Sequence, residues 1–229
     1  MKLGSLLTAA VLAALPAFAH AADPPDFTGA WTVKPYTGAL KPVDGQPIPF
    51  KPEARAEYDK RLAASAKGDT SWDGAARCLP EGLPRIMIIH EPFEILQKPN
   101  AMYFVAQSRV PWRAYFGEAL PADPDPLYMG YSIARWDGPT LVVESSGFRD
   151  VSAALDDKGL PHSEHLHLTQ RFHMGAGAKT MTVEYTIDDP ADYQHPWTAR
   201  AAFARMPASF QFPEEVCAAK LATTAPNRK

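Results

Sequence analysis

Residues 161–172 bring several reactive side chains together in one short stretch. The segment, PHSEHLHLTQRF, contains three of the seven histidines with a glutamate and an arginine. In an extended strand, successive side chains point to opposite faces. The polar side chains that share one face are His165, His167, Thr169 and Arg171, and the apolar ones opposite are Leu166, Leu168 and Phe172. The pattern predicts a strand whose polar face either performs chemistry or meets solvent.

Acid–base catalysis is the first function that these side chains indicate. An imidazole titrates near neutral pH, so His167 can take or give a proton there, with His162 as its predicted partner. Tyr131 is predicted to donate a hydrogen bond to a developing oxyanion, and Glu164 is a further catalytic candidate. These groups suit a hydration, elimination or isomerisation of a hydrophobic or aromatic molecule bound in the barrel, without a cofactor.

Four charged residues are candidates for holding the substrate. Arginine forms strong paired hydrogen bonds with anionic groups, which favours Arg113 and Arg109. Glu94 is a carboxylate within an otherwise apolar strand at residues 93–96, and Arg171 lies on the polar face of the histidine segment.

Two other functions stay open. His165 and His167 have a spacing at which two imidazoles can bind one metal ion, with His162 or Glu164 as a third ligand. Alternatively, a barrel with five tryptophans suits the non-catalytic carriage of a hydrophobic ligand. Converging ionisable groups would favour catalysis, whereas an apolar cavity with one polar anchor would favour carriage.

The chain as a whole indicates an exported protein. Residues 1–21 read as a signal peptide, with an apolar run at residues 6–18 and a small-residue cleavage site ending at Ala21. Residues 22–229 then form a single domain in the periplasm or outside the cell, without membrane insertion. A net charge of −3 argues against nucleic acid or an anionic membrane surface as a partner and leaves small molecules or other proteins.

The two cysteines, Cys78 and Cys217, are predicted to form a disulfide. A bridge that closes so long a loop contributes roughly 4–5 kcal/mol in the loop-entropy model.

Most of the remaining pattern predicts β-structure. A helix is predicted at residues 53–67, with Pro52 in its first turn and Gly68 as its stop. The predicted strands are residues 27–33, 86–89, 93–97, 102–109, 112–116, 129–136, 140–146, the histidine strand, 181–187 and 199–205. Asp137-Gly138 predicts a hairpin turn. Many short antiparallel strands in one domain favour a barrel or a sandwich, and closure removes exposed edges.

Several motifs resemble a large family of exported, mostly uncharacterised bacterial proteins. They span nearly the whole mature chain and include residues 26–31, 78–85, 130–144, 147–148, 161–164, 166–167, 171–172 and 189–197. The resemblance implies an antiparallel calycin-like β-barrel with one accessory helix, and Gly29-Ala-Trp31 resembles the lipocalin opening. It favours His162, Ser163 and His167 over His165. Residues 117–126 and Gln170 depart from the family pattern, so the resemblance does not define a substrate.

Overall fold

A closed barrel of nine strands, taken in chain order, forms the body of the protein. The computed structural model describes residues 23–107, 110–150, 154–213 and 217. The strands are β1 Gly29–Val33, β2 Phe93–Gln97, β3 Ala101–Ala106, β4 Trp112–Phe116, β5 Tyr131–Asp137, β6 Thr140–Ser146, β7 His167–Met174, β8 Thr180–Asp188 and β9 Trp197–Arg205. The helices are α1 Pro52–Ser65 and α2 Arg85–Ile88, with short 3-10 turns at Gly74–Arg77 and Ala176–Ala178. The predicted all-β, calycin-like barrel with one accessory helix is confirmed.

One pair of neighbouring strands departs from the antiparallel pattern. β4 and β5 are parallel and share only the register pairs Tyr115–Ile133 and Phe116–Ala134, whereas the other neighbouring pairs are antiparallel. Parallel strands cannot be joined by a tight turn, because the chain must return to the end where the first strand began. Residues 117–130, here called the crossover, make that return.

Large aromatic side chains fill the barrel interior. Those that are at most 2% exposed and face inward include Trp31, Phe93, Phe104, Trp112, Phe172, Tyr185 and Phe203. The rings of Phe104 and Trp112 stack with their centroids 3.9 Å apart. Such close packing is typical of a protein interior, and the two large cavities described below lie outside the strands. The predicted faces of β7 are confirmed, because Leu168 and Phe172 are fully buried while His167, Thr169 and Arg171 are partly exposed.

The two ends of the barrel differ in their covering. Tight connections β2–β3, β5–β6 and β7–β8 lie at one end. At the other, here called the α2 end, β4, β5 and β7 begin, and α2 leads into the start of β2. Residues 86–89 were predicted to be a strand, but residues 85–88 form α2, and all four of its side chains are buried. A short apolar run becomes buried in either conformation, so its hydrophobicity did not distinguish the two.

A buried arginine anchors α2. The two terminal nitrogens of Arg85 donate to the two carboxylate oxygens of Asp73 at 2.7 and 2.8 Å, and its Nε donates to Asp157 at 2.8 Å. Tyr36 donates to the second Asp157 oxygen at 2.8 Å. Burial acts to raise the pKa of Asp73, but the hydrogen bonds and charge of Arg85 hold it below its ordinary value.

The disulfide between Cys78 and Cys217 is confirmed, with the two Cα atoms 5.8 Å apart. None of the helices in the described ranges has the length and apolarity needed to cross a membrane.

Candidate functional site

The predicted site residues gather at the α2 end of the barrel. Those on or beside the strand termini of this end are Glu94, Arg113, Tyr131, His162, Glu164 and His167. Arg171 instead lies further along β7 and forms an ion pair with Asp137, at the end of β5, at 2.7 Å. Arg109 and the predicted signal peptide lie outside the described residues. Glu94 is on the outer face of β2, between the inward-facing Phe93 and Ile95.

Tyr131 and His167 lie on the outer face of the barrel, two strands apart. Tyr131 of β5 pairs with Ser146 of β6, and His167 of β7 pairs with Asp188 of β8. Because Ser145 pairs with Leu168 in antiparallel strands, Ser146 lies opposite His167, and these residues form one row across the sheet. Strands in a sheet are spaced by about 4.8 Å, so the two backbones are roughly 10 Å apart. No hydrogen bond joins these two side chains in the described structure, although both can border the same surface.

His162 is buried and is held in one tautomer. Its Nδ1 atom lies 3.0 Å from the backbone carbonyl oxygen of Ser163. A carbonyl oxygen only accepts, so Nδ1 carries the proton and Nε2 keeps its lone pair. The edge of the ring meets Phe148 at a centroid distance of 5.9 Å. Burial lowers the pKa of the imidazole, which keeps His162 neutral at pH 7.

Ser163 is committed to a structural contact. Its backbone nitrogen and its hydroxyl donate to the two carboxylate oxygens of Asp189, at 2.6 and 2.7 Å, and the Ser163 Oγ accepts from the His165 nitrogen at 3.0 Å. Asp189 is 1% exposed. These bonds fix the loop that carries His162, and the Ser163 hydroxyl donates to the Asp189 carboxylate rather than to a histidine.

A cavity of about 550 Å³ lies where β4 and β5 diverge. We call it the seam cleft. Its lining combines outward-facing strand residues, both ends of the crossover, and two inward-facing residues at its floor. These are Arg113, Tyr115, Tyr131 and Ile133 from the strands, residues 118–121 and 127–130 from the crossover, and Trp112 and Ser132 at the floor, with Val110 and Pro111 before β4. The strands diverge here because their pairing is confined to two positions near the far end of β4.

The floor of the seam cleft is a short chain of buried hydrogen bonds. Trp112 Nε1 donates to Ser132 Oγ at 2.7 Å, and Ser132 Oγ lies 2.7 Å from Ser145 Oγ. Trp112, Ser132 and Ser145 were not selected from the sequence. The only feature of the sequence that could have indicated them is that Ser132 and Ser145 are polar residues at inward-facing positions of the predicted hairpin.

Arg113 supplies a positive charge at the edge of the cleft. Its side chain is exposed, and its guanidinium lies 5.9 Å from the centroid of the Tyr103 ring. No carboxylate in the described part of the chain forms an ion pair with Arg113. Glu118, also in the lining, is the carboxylate of the crossover nearest to β4.

Two glycines allow the crossover to lie close to the sheet. Gly147 has a φ of +71°, and a Cβ there would meet Pro124 Cγ at 2.7 Å and Tyr131 Cδ2 at 3.0 Å. Gly130 has a φ of +60°, and a Cβ there would meet the Ser146 oxygen at 2.7 Å and the Phe148 ring at 2.8 Å. Both positions therefore need glycine for the backbone angle and for space, and Gly147 fixes the position of the Tyr131 ring.

Glu164 and His165 line a different cavity. It measures about 510 Å³, lies along residues 121–126 of the crossover, and also includes Ser146 and Phe148. It shares Pro121 with the seam cleft. The predicted residues are therefore divided: Arg113 and Tyr131 lie in the seam cleft, Glu164 and His165 lie in this second cavity, and His162 and His167 line neither of the two.

The geometry does not support the hypothesis of a metal site at His165 and His167. Within residues 23–107, 110–150, 154–213 and 217, no group of three or more His, Cys, Asp or Glu side chains is arranged to hold a metal ion. His162 is buried, whereas His165 is exposed and His167 is partly exposed on the outer surface.

The fold and the cleft define the protein as a closed β-barrel with a cavity of small-molecule size outside its strands. No family model, curated protein or solved structure matches this chain. The resemblance to the exported family therefore rests on the motifs alone, and the closed barrel agrees with the fold that it implies.

Proposed function

We propose that this protein binds a small aromatic monoanion in the seam cleft. The observation that carries the proposal is an apolar cavity of about 550 Å³ with a guanidinium at its edge that forms no ion pair with any described residue. Ligand sites in proteins are usually 300–1,000 Å³ and combine apolar walls with a few polar groups that orient the ligand.

The proposal also includes export to the periplasm or the cell exterior, because disulfides persist in oxidising compartments.

The lining favours a planar apolar body with one negative group. Tyr115, Tyr128 and Tyr131 supply ring faces and edges, and Leu120 and Ile133 supply aliphatic surface. Arg113 can donate two parallel hydrogen bonds to a carboxylate. The carboxylate of Glu118 opposes a second negative charge on the ligand, which is the reason for proposing a monoanion.

Binding without turnover suits the seam cleft better than catalysis does. Catalytic sites bring an acid, a base and an oxyanion donor within hydrogen-bond reach of one reacting atom. Neither His162 nor His167 lines this cleft, and its ionisable groups, Arg113, Glu118 and the tyrosines, form no hydrogen bond with one another in the described structure. This arrangement corresponds to the carrier alternative.

Isothermal titration calorimetry with matched ligands tests the proposal. Benzoate and two-ring aromatic carboxylates are compared with the corresponding neutral amides. We expect saturable binding of at least one carboxylate, with its amide at least tenfold weaker, which corresponds to about 1.4 kcal/mol. Arg113→Gln should remove this difference.

Arg135→Gln is the matched control, since Arg135 is an exposed arginine of β5 whose partner is Glu144. It should leave both affinities unchanged. The proposal fails if no carboxylate in the panel binds saturably, or if Arg113→Gln and Arg135→Gln have equal effects.

Acid–base catalysis at His162 is the second candidate. The observation that favours it is a neutral buried imidazole with Nδ1 bound to the Ser163 carbonyl and Nε2 without a partner among the described residues. A neutral imidazole with a free Nε2 is a proton acceptor. It would act beside Phe148, which borders the second cavity.

Phenylacetate and its two-ring analogues are included in the panel, because the carbon next to their carboxylate carries the most acidic C–H bonds, and deuterium incorporation from D₂O at that carbon measures proton transfer even when the product is unidentified. Incorporation by the wild type that is lost in His162→Gln supports the second candidate. Loss in His167→Ala but not in His162→Gln would instead support the prediction made for His167 from the sequence. Absence of incorporation with every ligand of the panel leaves carriage as the preferred function.

A further inference from the structure

Three buried polar atoms inside the barrel have no hydrogen-bond partner in the part of the chain that the structure describes. They are Gln170 Oε1, Tyr185 Oη and Trp197 Nε1. Gln170 and Tyr185 are fully buried, and Trp197 is 5% exposed. Buried polar side chains in native proteins nearly always have a partner, and each exception calls for an explanation.

The three side chains occupy neighbouring inward positions on β7, β8 and β9. Gln170 pairs directly with Tyr185, and Tyr185 pairs with Ala199. Trp197 precedes Ala199 by two residues on the same strand, so it is the diagonal neighbour of Tyr185, a separation that long and aromatic side chains can bridge. Ala199, opposite Tyr185, carries only a methyl group. The three side chains therefore share one region of the interior.

Helix α2 covers this region. Gln170 Nε2 lies 3.5 Å from Met87 Sδ in α2, and Met87 is 1% exposed. A thioether is a weak acceptor, so even the amide nitrogen of Gln170 has only a weak partner. Burial raises the pKa of Tyr185 well above its ordinary value, which keeps its hydroxyl protonated.

The groups present specify the chemistry of an occupant. Gln170 Oε1 accepts, Trp197 Nε1 donates, and the Tyr185 hydroxyl does either. We infer that the barrel interior binds a small neutral molecule between Gln170, Tyr185 and Trp197, which donates to Gln170 and accepts from Trp197 and Tyr185. A charged occupant does not fit, because none of the three groups is ionised. Ordered water and a small organic alcohol or amide share this chemistry, and this site is independent of the seam cleft.

Tyr185→Phe tests the inference, with Tyr193→Phe as its matched control. Tyr193 is equally buried, but its hydroxyl has a partner, since it donates to the Pro161 oxygen at 2.7 Å. If the interior molecule is present, both variants lose a hydrogen bond and both lower the melting temperature. If Tyr185 has no partner, removing its hydroxyl relieves an unsatisfied buried group, and Tyr185→Phe keeps or raises the melting temperature while Tyr193→Phe lowers it.

The occupant itself is measured in wild type and in Tyr185→Phe. Native mass spectrometry detects an organic adduct, and magnetic relaxation dispersion of water counts long-lived internal waters. A loss of either the adduct or at least one internal water in Tyr185→Phe supports the inference and identifies the source. Gln170→Met provides a second variant of similar shape and should give the same loss. Equal adduct and water counts in wild type and both variants, with no fall in the melting temperature of Tyr185→Phe, overturn the inference.

Discussion

Arg85→Met should be among the most destabilising substitutions in this protein. The variant keeps an unbranched apolar stem but leaves Asp73 and Asp157 without the guanidinium that contacts both at 2.7–2.8 Å. The Arg85 side chain is 8% exposed, and those of Asp73 and Asp157 are 13% and 17% exposed, so the remaining carboxylates lie largely out of water. Removing one partner of a buried ion pair costs about 3–5 kcal/mol. Urea unfolding at pH 7 measures this cost.

Arg135→Met is the control for Arg85→Met, because the Arg135–Glu144 pair is 3.3 Å long and its side chains are 55% and 30% exposed. An exposed pair contributes at most about 1 kcal/mol. Asp73→Asn added to Arg85→Met removes one uncompensated charge and should restore at least about 1 kcal/mol. An Arg85→Met cost equal to that of Arg135→Met would refute the reasoning.

The pH dependence of the Arg85–Asp73 pair gives a further check. The pKa of Asp73 is held below its ordinary value of 3.8 in the folded protein. The stabilisation by this pair is therefore present above that pH and is lost as the pH falls through the folded-state pKa. The difference in unfolding free energy between wild type and Arg85→Met should accordingly shrink in acid.

Two other predictions follow from the site and its surroundings. Gly147→Ala should lower the free energy of unfolding by about 1–2 kcal/mol, because alanine is strained in the left-handed backbone conformation. It should also lower the affinity for the proposed aromatic ligand, because the new methyl group displaces Tyr131 and Pro124. Calorimetry measures this affinity, and an unchanged value would show that Tyr131 does not contribute to the site. Asp192→Asn should stabilise the protein at pH 7.5 and have little effect at pH 4.5, because burial, followed by the charge of Asp189, raises the pKa of Asp192 to about 6. The contribution of the Asp192 carboxyl to stability is fully present below its ordinary pKa of 3.8 and is lost as the pH rises through about 6. Since Asp192 is partly exposed, solvent screening reduces the expected gain in the free energy of unfolding to about 1 kcal/mol. Thermal unfolding measures the gain, and a larger gain at pH 4.5 than at pH 7.5 would contradict the raised pKa of Asp192.

The sequence predicted the elements whose signals are local. β2 and β4 match the predicted residues 93–97 and 112–116, and α1 begins at Pro52 as the proline indicated. The β5–β6 hairpin forms around Asp137-Gly138 because this dipeptide accepts the backbone angles of a tight turn. In each of these elements, side-chain alternation or turn chemistry within a few residues determines the structure.

The elements that were missed depend on contacts between distant residues. The path of residues 117–130 determines that β4 and β5 are parallel, and nothing in either strand records that path. α2 is anchored by Arg85, whose partners Asp73 and Asp157 lie far from it along the chain. Gln170 occupies an apolar face of β7 although its side chain is polar, because strand alternation leaves it no other direction.

The position of the candidate binding site follows from how the barrel closes. A closed sheet has no unpaired edge, so a cleft between strands on its outer surface forms only where a pair of strands separates. β4 and β5 hold two register pairs, whereas β5 and β6 hold seven along their full length. The crossover required by the parallel pair then lies against the place where the strands diverge and forms the remaining walls. The connectivity that makes this joint the least paired part of the barrel therefore also creates a cavity there, and Arg113 and Tyr131 reach it because both lie at the diverging ends of the two strands.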